Sequence, residues 1–197
     1  MYTYPLPWIL VAAAIVLALF GVAAWFFSQK RNQSERLKQR FGPEYGRTVG
    51  ELGGRTKAES ELKAREERVE QLAITPLAPA EAARFSQAWD TLQSRFVDNP
   101  KGVVVQADEL VRELMLTRGY PMGDFERRAA DISVDHPAVV ENYRAAQVIA
   151  ARDQRGEADT EELRKAVVHY RVLFDDMLEV RAAKPEILSA KEAALHA

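Results

Sequence analysis

The feature that most constrains this chain is an uncharged run of twenty apolar residues near its N-terminus, from Trp8 to Phe27. As an α-helix with a rise of about 1.5 Å per residue, the run is about 30 Å long, which matches the hydrocarbon core of a bilayer. Trp8 and Trp25 lie near its two ends, where interfacial aromatic residues are expected. The run therefore predicts a membrane anchor over residues 1–28, with the bilayer as the partner of residues 8–27.

Two other interpretations of this run are a cleaved signal peptide and a buried core helix. The residues before it, MYTYPLP, lack the Lys or Arg with which a signal peptide opens, and the apolar stretch is longer than that of most signal peptides. Val22, Ala23 and Ala24 resemble the small residues before a cleavage site, but apolar aromatic residues follow them directly. These flanks favour an uncleaved anchor.

The charges around the run predict its orientation. No charged side chain precedes it, whereas the flank that follows contains a single acid, Glu35, and five cations: Lys30, Arg31, Arg36, Lys38 and Arg40. Because Lys and Arg stay on the cytoplasmic side, we expect a single-pass protein of the bacterial inner membrane, with its N-terminus outside and the rest of the chain in the cytoplasm. The flank could also attract anionic headgroups, at about 1 kcal/mol per residue near the surface.

The composition argues against several classes of protein. The 197-residue chain has no cysteine, which removes disulfides, thiolate metal sites and cysteine nucleophiles. Its formal net charge of -2 is unlike the strongly basic balance of a nucleic-acid-binding domain. The sequence has no phosphate-loop motif, no HExxH and no paired ExxH pattern, so it predicts no cofactor and no metal.

The region behind the anchor divides into a hinge and a charged helix. Residues 29–54 combine the basic flank with FGPEYGRTVGELGG, whose glycines and proline predict an irregular joint. Residues 55–76 are rich in good helix formers and carry a heptad-like seam of Ala58, Leu62, Arg65, Val69 and Leu72. A seam of about two heptads, interrupted by an arginine, is short for a coiled coil. The helix therefore either forms a homodimer through residues 58–72 or rests one stripe on the domain beyond it.

Residues 77–183 predict a bundle of four or five helices, and residues 184–197 a polar tail. Apolar residues recur at helical spacing, as in Phe85, Trp89 and Leu92, and the broadest stripe runs from Leu163 to Leu178. No segment alternates with a period of two residues. The fold class is therefore all-α, with a transmembrane helix, a charged juxtamembrane helix and then the bundle.

Several helix ends are also predicted by residue type. Asp98 with Pro100 is a candidate helix start, and Asp159 has capping-box spacing to Glu162. In the stretch RGYPMGDFERRAADISVDHP, from Arg118 to Pro137, Gly119 is expected to end one helix in the left-handed conformation.

The rest of that stretch completes a structural corner. A short helix is expected from Asp124 to about Ile132, and a second one from Pro137 to about Arg152. Asp135 or His136 is expected to cap the second helix.

The alternative is a metal or acid–base site in the same stretch. Asp131, Asp135 and His136 are close in sequence, and His169 and Asp175 could approach from the last helix. Such a site would make the chain a small membrane-bound metal-dependent hydrolase. Zinc needs three or four ligands with defined geometry, and scattered aspartates with one histidine do not provide that pattern. The corner is therefore the favoured interpretation.

A structural corner can still present a docking surface, because Tyr and Arg are enriched at binding hot spots. The candidate residues for this surface are Arg118, Tyr120, Arg127, Arg128, Asp131, Asp135 and His136. With no nucleophile motif or spaced ligand set, the sequence favours a membrane-tethered cytosolic interaction or scaffold module with an unidentified protein partner over an enzyme.

Five elements of the chain, in order, resemble an uncharacterised family of bacterial proteins with one N-terminal membrane span: FGPEY, RVEQLAITPL, RFVDNP, RGYPMGDFERRAADISVDHP and TEELRKAVVHYRVLF. The likeness covers about Phe41 to Leu178, and its most specific part is the corner stretch. The resemblance implies the single-span topology and no chemistry. Where the family pattern has His, this chain has Gln147, so the resemblance supplies no histidine ligand on that helix.

Overall fold

A computed structural model describes residues 6–178, and it confirms the all-α fold class. Residues 1–5 and the predicted tail at 184–197 lie outside the described residues. The chain divides into two compact units with the boundary between Glu66 and Glu67, here called unit 1 and unit 2. The helices are α1 Leu6–Phe41, α2 Pro43–Leu52, α3 Arg55–Glu70, α4 Pro79–Ser94, α5 Pro100–Arg118, α6 Phe125–Asp135, α7 Val140–Gln154 and α8 Thr160–Met177.

The helix α1 runs without interruption from the apolar run into the basic flank. For most of the predicted span, the structure describes the backbone but not the side chains. The side chains that are not described are those of residues 6–14, 16, 18, 23, 24, 26 and 27. Among the residues that are described, none of the helices combines the length and the apolar character needed to cross a membrane.

The prediction of an irregular hinge within residues 29–54 is wrong. Residues 43–52 form α2, which starts with Pro43 at a first-turn position where its missing N–H costs nothing. Only short breaks remain, at Gly42 with φ of 48° and at Gly53 with φ of 68°. Those two glycines end α1 and α2, whereas Gly46 and Gly50 lie inside α2 and are tolerated there.

Unit 1 has a small core and several ion pairs. Its buried apolar side chains are Leu37, Phe41, Tyr45, Ala58 and Leu62. Arg65 Nη1 lies 2.9 Å from Glu44 Oε1, and both side chains are buried. The nitrogens of Arg36 and Arg40 lie 2.7 Å and 3.2 Å from the carboxylate of Glu66. These pairs join α3 to the other two helices.

The seam predicted along residues 58–72 is largely buried within a single copy of the chain. Ala58, Leu62, Arg65 and Val69 are buried, and Leu72 is partly exposed. A homodimer through this seam would require the buried residues to leave their intramolecular contacts.

Unit 2 is a bundle of five helices, α4 to α8, which agrees with the predicted number. The helix α8 packs against α5 and α7, while α4 packs on α5 and α6 packs on α7. The predicted stripes form the core, since Phe85, Trp89 and Phe174 are fully buried and the Trp89 and Phe174 ring centroids lie 4.6 Å apart. Phe96 is only partly buried against this core.

The predicted helix ends are partly confirmed. Asp159 accepts from Glu162 N at 2.8 Å and its own N–H donates to the Glu162 carboxylate at 3.0 Å, which completes the capping box. The start of α5 is capped by Asn99, whose Oδ1 accepts from Gly102 N at 3.0 Å. The prediction of Asp98 is therefore one residue too early, because Pro100 occupies the first turn and places Asn99 at the cap position.

Unit 2 begins about ten residues before the predicted domain start at 77. Thr75 N donates to the carbonyl of Arg118 at 2.9 Å. A Cβ atom added to Gly119, whose φ is 101°, would lie 2.7 Å from the carbonyl oxygen of Ala73. Residues after the charged part of α3 are thus part of the bundle, where they cover the end of α5.

Candidate functional site

The stretch from Arg118 to Pro137 was the candidate site, and its centre is the buried ring of His136. His136 Nε2 lies 3.2 Å from Arg118 Nη1, and His136 Nδ1 lies 2.6 Å from Asp176 Oδ2. An arginine can only donate, so Nε2 accepts and the ring proton on Nδ1 is donated to Asp176. Arg118 also donates to the carbonyl of Met177 at 3.1 Å. The lone pair that a metal ligand or base would use is therefore occupied.

Tyr120 and Asp135 pair with each other next to this cluster. The Tyr120 hydroxyl donates to Asp135 Oδ2 at 3.0 Å, and the tyrosine ring is buried. The expectation that Asp135 or His136 caps the following helix is wrong, because the N-cap of α7 is Val139, which has no side-chain cap. His136 contributes to that turn through its backbone carbonyl and not its side chain: the carbonyl oxygen accepts from Val140 N at 3.2 Å.

The two other arginines of the stretch have different environments. Arg128 is buried, donates from Nε to the Tyr143 hydroxyl at 3.1 Å, and also donates to the carbonyl of Gly123. Arg127 is exposed, and its backbone N–H donates to the N-cap carboxylate of Asp124 at 2.8 Å, as predicted for the start of α6.

Asp131 takes part in a buried ion pair with a residue that the sequence did not suggest. Arg68 lies 63 positions away, and its Nε and Nη2 both approach Asp131 Oδ1 at 2.8 Å. The Arg127 Nε is 4.0 Å from the same oxygen. The Asp131 side chain is 1% exposed and that of Arg68 is 23% exposed. This aspartate therefore joins the start of unit 2 to α6.

The predicted metal or acid–base set does not converge. Within residues 6–178, no group of three or more acidic or histidine side chains is placed to hold a metal ion. His169 Nδ1 instead lies 2.9 Å from Asn142 Oδ1, and Asp175 accepts from Arg171 Nε at 2.7 Å. The set fails because its carboxylates and histidines each bind a different nearby partner.

The predicted docking surface is also mostly buried. Of its seven residues only Arg127 and Asp135 are exposed, because the other five bond partners on the neighbouring helices: Arg118 and His136 join α5, the end of α6 and α8, Arg128 bonds Tyr143 on α7, and Asp131 bonds Arg68 on α3. The buried members are Arg118, Tyr120, Arg128, Asp131 and His136. As a surface for a partner, this corner is reduced to two side chains.

A polar network that the sequence did not suggest lies between α5, α7 and α8. Asp108 Oδ1 accepts from the Tyr170 hydroxyl at 3.1 Å and from Gln147 Nε2. Gln147 Nε2 also donates to the Tyr170 hydroxyl at 2.9 Å. Burial raises the pKa of the Asp108 carboxyl, although both hydrogen bonds act in the opposite direction. Burial and the nearby Asp108 charge raise the pKa of Tyr170 as well.

The cleft in front of Asp108 is small. Its volume is about 180 Å³, below the roughly 300 to 1,000 Å³ of typical small-molecule sites. Asp153, which also lines it, has an ion pair with Lys101 at 3.4 Å. The cleft has room for water or a very small ligand.

A larger groove with a mostly apolar lining lies between the α4–α5 connection and α8. Its volume is about 430 Å³. Val97 is 90% exposed on one wall, and Val168 and Val172 are 48% and 39% exposed on the other. The complete lining is Gln93, Phe96, Val97, Arg164, Val167, Val168, Arg171 and Val172.

Comparison with known proteins adds no further assignment: no family model matches the chain, and no curated protein or solved structure does so either.

Proposed function

We propose that this chain is a membrane-tethered helical interaction module, held at the inner membrane of a bacterium with the bundle of unit 2 in the cytoplasm. The main support for the membrane tether is that α1 is continuous: the uncharged run of residues 8–27 passes directly into the basic flank at Lys30 and Arg31. Such a flank keeps the following chain on the cytoplasmic side. The resemblance of residues 41–178 to a single-span family supports the same topology.

The groove on unit 2 supports an interaction role. Its α8 wall presents Val168 and Val172 one helical turn apart, and its opposite wall presents Val97, an arrangement of apolar side chains that suits one apolar helix face. The lining contains two arginines and no carboxylate. Arg164 and Arg171 already bond Glu161 and Asp175 outside the groove, and a partner carboxylate would share these arginines.

The occupant that fits this groove is an amphipathic helix of a partner protein, with an apolar stripe and acidic residues beside it. The alternative of a metal-dependent hydrolase has less support, because Asp131, Asp135 and His136 bond three separate partners.

One experiment tests both the membrane tether and the groove as a binding site for a partner. A photo-crosslinking amino acid is placed at Val172 of the full chain in cells, and at Val148 as the control, since Val148 is 62% exposed but lies on α7 outside the groove. Membranes are then washed with alkaline carbonate. We expect the chain to stay in the membrane pellet, and a single protein adduct to form from position 172 and not from 148.

Four results would count against the proposal. Release of the chain by carbonate would remove the tether. An adduct of the chain with itself would identify the groove as a dimer contact, and equal adducts from both positions would remove the groove as a specific site. A reporter after Ala197 should be active in the cytoplasm, and activity only after export would reverse the orientation.

A further inference from the structure

A cleft lined by cations lies within unit 1, between the part of α1 that follows the apolar run and the first half of α3. Its volume is about 530 Å³. Four of its side chains are cationic and two are carboxylates. The lining residues are Lys30, Arg31, Gln33, Ser34, Glu35, Arg55, Thr56, Glu59, Ser60 and Lys63.

Both carboxylates of this cleft bond groups that do not line it. Glu35 accepts from Lys38 Nζ at 2.8 Å, and Glu59 accepts from the Tyr45 hydroxyl at 2.8 Å. By contrast, Lys30, Arg31 and Arg55 have no ion pair among the described residues. The cleft therefore faces solvent with cationic groups that no neighbouring acid neutralises at contact distance.

Cations from both walls of the cleft act on the carboxyl of Glu35, although the two walls are far apart in sequence. The pKa of the Glu35 carboxyl is lowered first by the hydrogen bond and charge of Lys38, and then by the charges of Arg31 and Arg55. Arg31 belongs to α1 and Arg55 to α3. Both guanidinium groups line the same cleft, so one anion bound there would lie between a cation of α1 and a cation of α3.

The depth of the cleft relative to the apolar run suits a headgroup. Lys30 and Arg31 follow Phe27 by three and four residues, which is about 4.5 and 6 Å along a helix. The polar layer on each face of a bilayer is about 5 to 8 Å thick beyond the hydrocarbon core. If the run ending at Phe27 fills that core, both cations lie at the depth of the lipid phosphates. This step rests on the tether proposed above.

We propose that the cleft between α1 and α3 binds the phosphate-bearing headgroup of an anionic phospholipid. Arg31 and Arg55 present planar guanidinium groups that suit two phosphate oxygens, and Lys30 adds a third positive charge. The hydroxyls of Thr56 and Ser60 line the same cleft and can donate to the remaining oxygens.

Arg55 is the residue that distinguishes a headgroup site from a topology signal, because it lies on α3 and not in the basic flank of α1. If the basic flank only orients the anchor, Lys30 and Arg31 matter and Arg55 does not. If the cleft binds a headgroup, Arg55 contributes although 27 residues separate it from the end of the apolar run. Lys57 is a matched control, because it is also an exposed cation on α3 but is not part of the lining.

The test uses the full chain in a mild detergent, incubated with equal amounts of phosphatidylglycerol and phosphatidylcholine. Native mass spectrometry measures the ratio of the two lipid adducts. We expect the unmodified chain to prefer phosphatidylglycerol and Arg55→Gln to reduce that preference about fivefold, the factor for about 1 kcal/mol per cation near an anionic headgroup. Arg55→Lys should keep most of the preference, and Lys57→Gln should keep all of it.

Two outcomes overturn the headgroup site: no preference for phosphatidylglycerol in the unmodified chain, or equal losses in Arg55→Gln and Lys57→Gln. Circular dichroism of each variant checks that its helices are intact. The assay needs no intact bilayer, so its result stands whether or not carbonate extracts the chain. A chain that resists carbonate but shows no lipid preference keeps the tether and loses the headgroup site.

Discussion

The buried pair of Arg68 and Asp131 predicts an unequal response to removing either charge. Arg68→Met leaves a carboxylate that is 1% exposed without its main partner, and breaking a buried pair in this way costs about 3 to 5 kcal/mol. The Arg127 nitrogen, 4.0 Å from the same oxygen, compensates in part and favours the lower end of that range. Asp131→Asn costs less, about 1 to 2 kcal/mol, because the amide oxygen still accepts. Arg68, at 23% exposure, also keeps its contact with water.

The sharper expectation concerns the double variant. Once Arg68 is replaced by Met, Asp131→Asn removes the isolated buried charge, so Arg68→Met/Asp131→Asn should be more stable than Arg68→Met alone by about 1 to 2 kcal/mol. Urea unfolding of residues 67–197, followed by circular dichroism, measures each free energy of unfolding. Arg127→Met is the control and should change it by less than about 0.5 kcal/mol. The reasoning fails if Asp131→Asn costs as much as Arg68→Met, or if the second substitution makes the first one worse.

Two further predictions concern the core and the polar network of unit 2. Trp89→Ala should lower the free energy of unfolding by about 3 to 5 kcal/mol, because the ring is fully buried against Phe174; a loss below about 1 kcal/mol in urea unfolding would contradict that position. Because burial raises the pKa of Asp108 above its ordinary 3.8, the ionised carboxylate destabilises the fold above the raised pKa, and this penalty disappears as the pH falls towards 3.8. Asp108→Asn should therefore be more stable than the unmodified chain at pH 7 and lose that advantage near pH 4, whereas a constant difference between the two pH values would contradict the raised pKa.

Features that depend on a few neighbouring residues were predictable from the sequence. The apolar period places Phe85 and Trp89 on one buried face, and the spacing of Asp159 and Glu162 identifies the capping box. The α2 helix was missed because its two internal glycines look like a loop, although its buried face is held by Tyr45.

Contacts between distant residues could not be predicted in this way. The pair of Arg68 and Asp131 is separated by 63 residues, and the Asp108–Tyr170 bond by 62. Neither pair has a local pattern, because only the packing of the helices brings its members together. The same limit explains why most residues of the predicted docking surface are buried. The types of residue at the corner suggested exposure, but Arg118 is buried because its partners lie directly after α6 and at the end of α8.

The uninterrupted course of α1 has a mechanical consequence for unit 1. Successive residues of a helix turn by about 100°. The direction in which Lys30 and Arg31 project from the axis of α1 is therefore fixed relative to that of Leu37 and Phe41, which are buried further along the same helix. A rotation of the apolar end about the helix axis is therefore transmitted to these two core residues, and among residues 6–178 the first break in the helix is at Gly42. One residue inserted after Phe27 would turn the apolar end by that angle against the cationic cleft. The cleft and the apolar run keep their relative orientation only if the number of residues between them is unchanged.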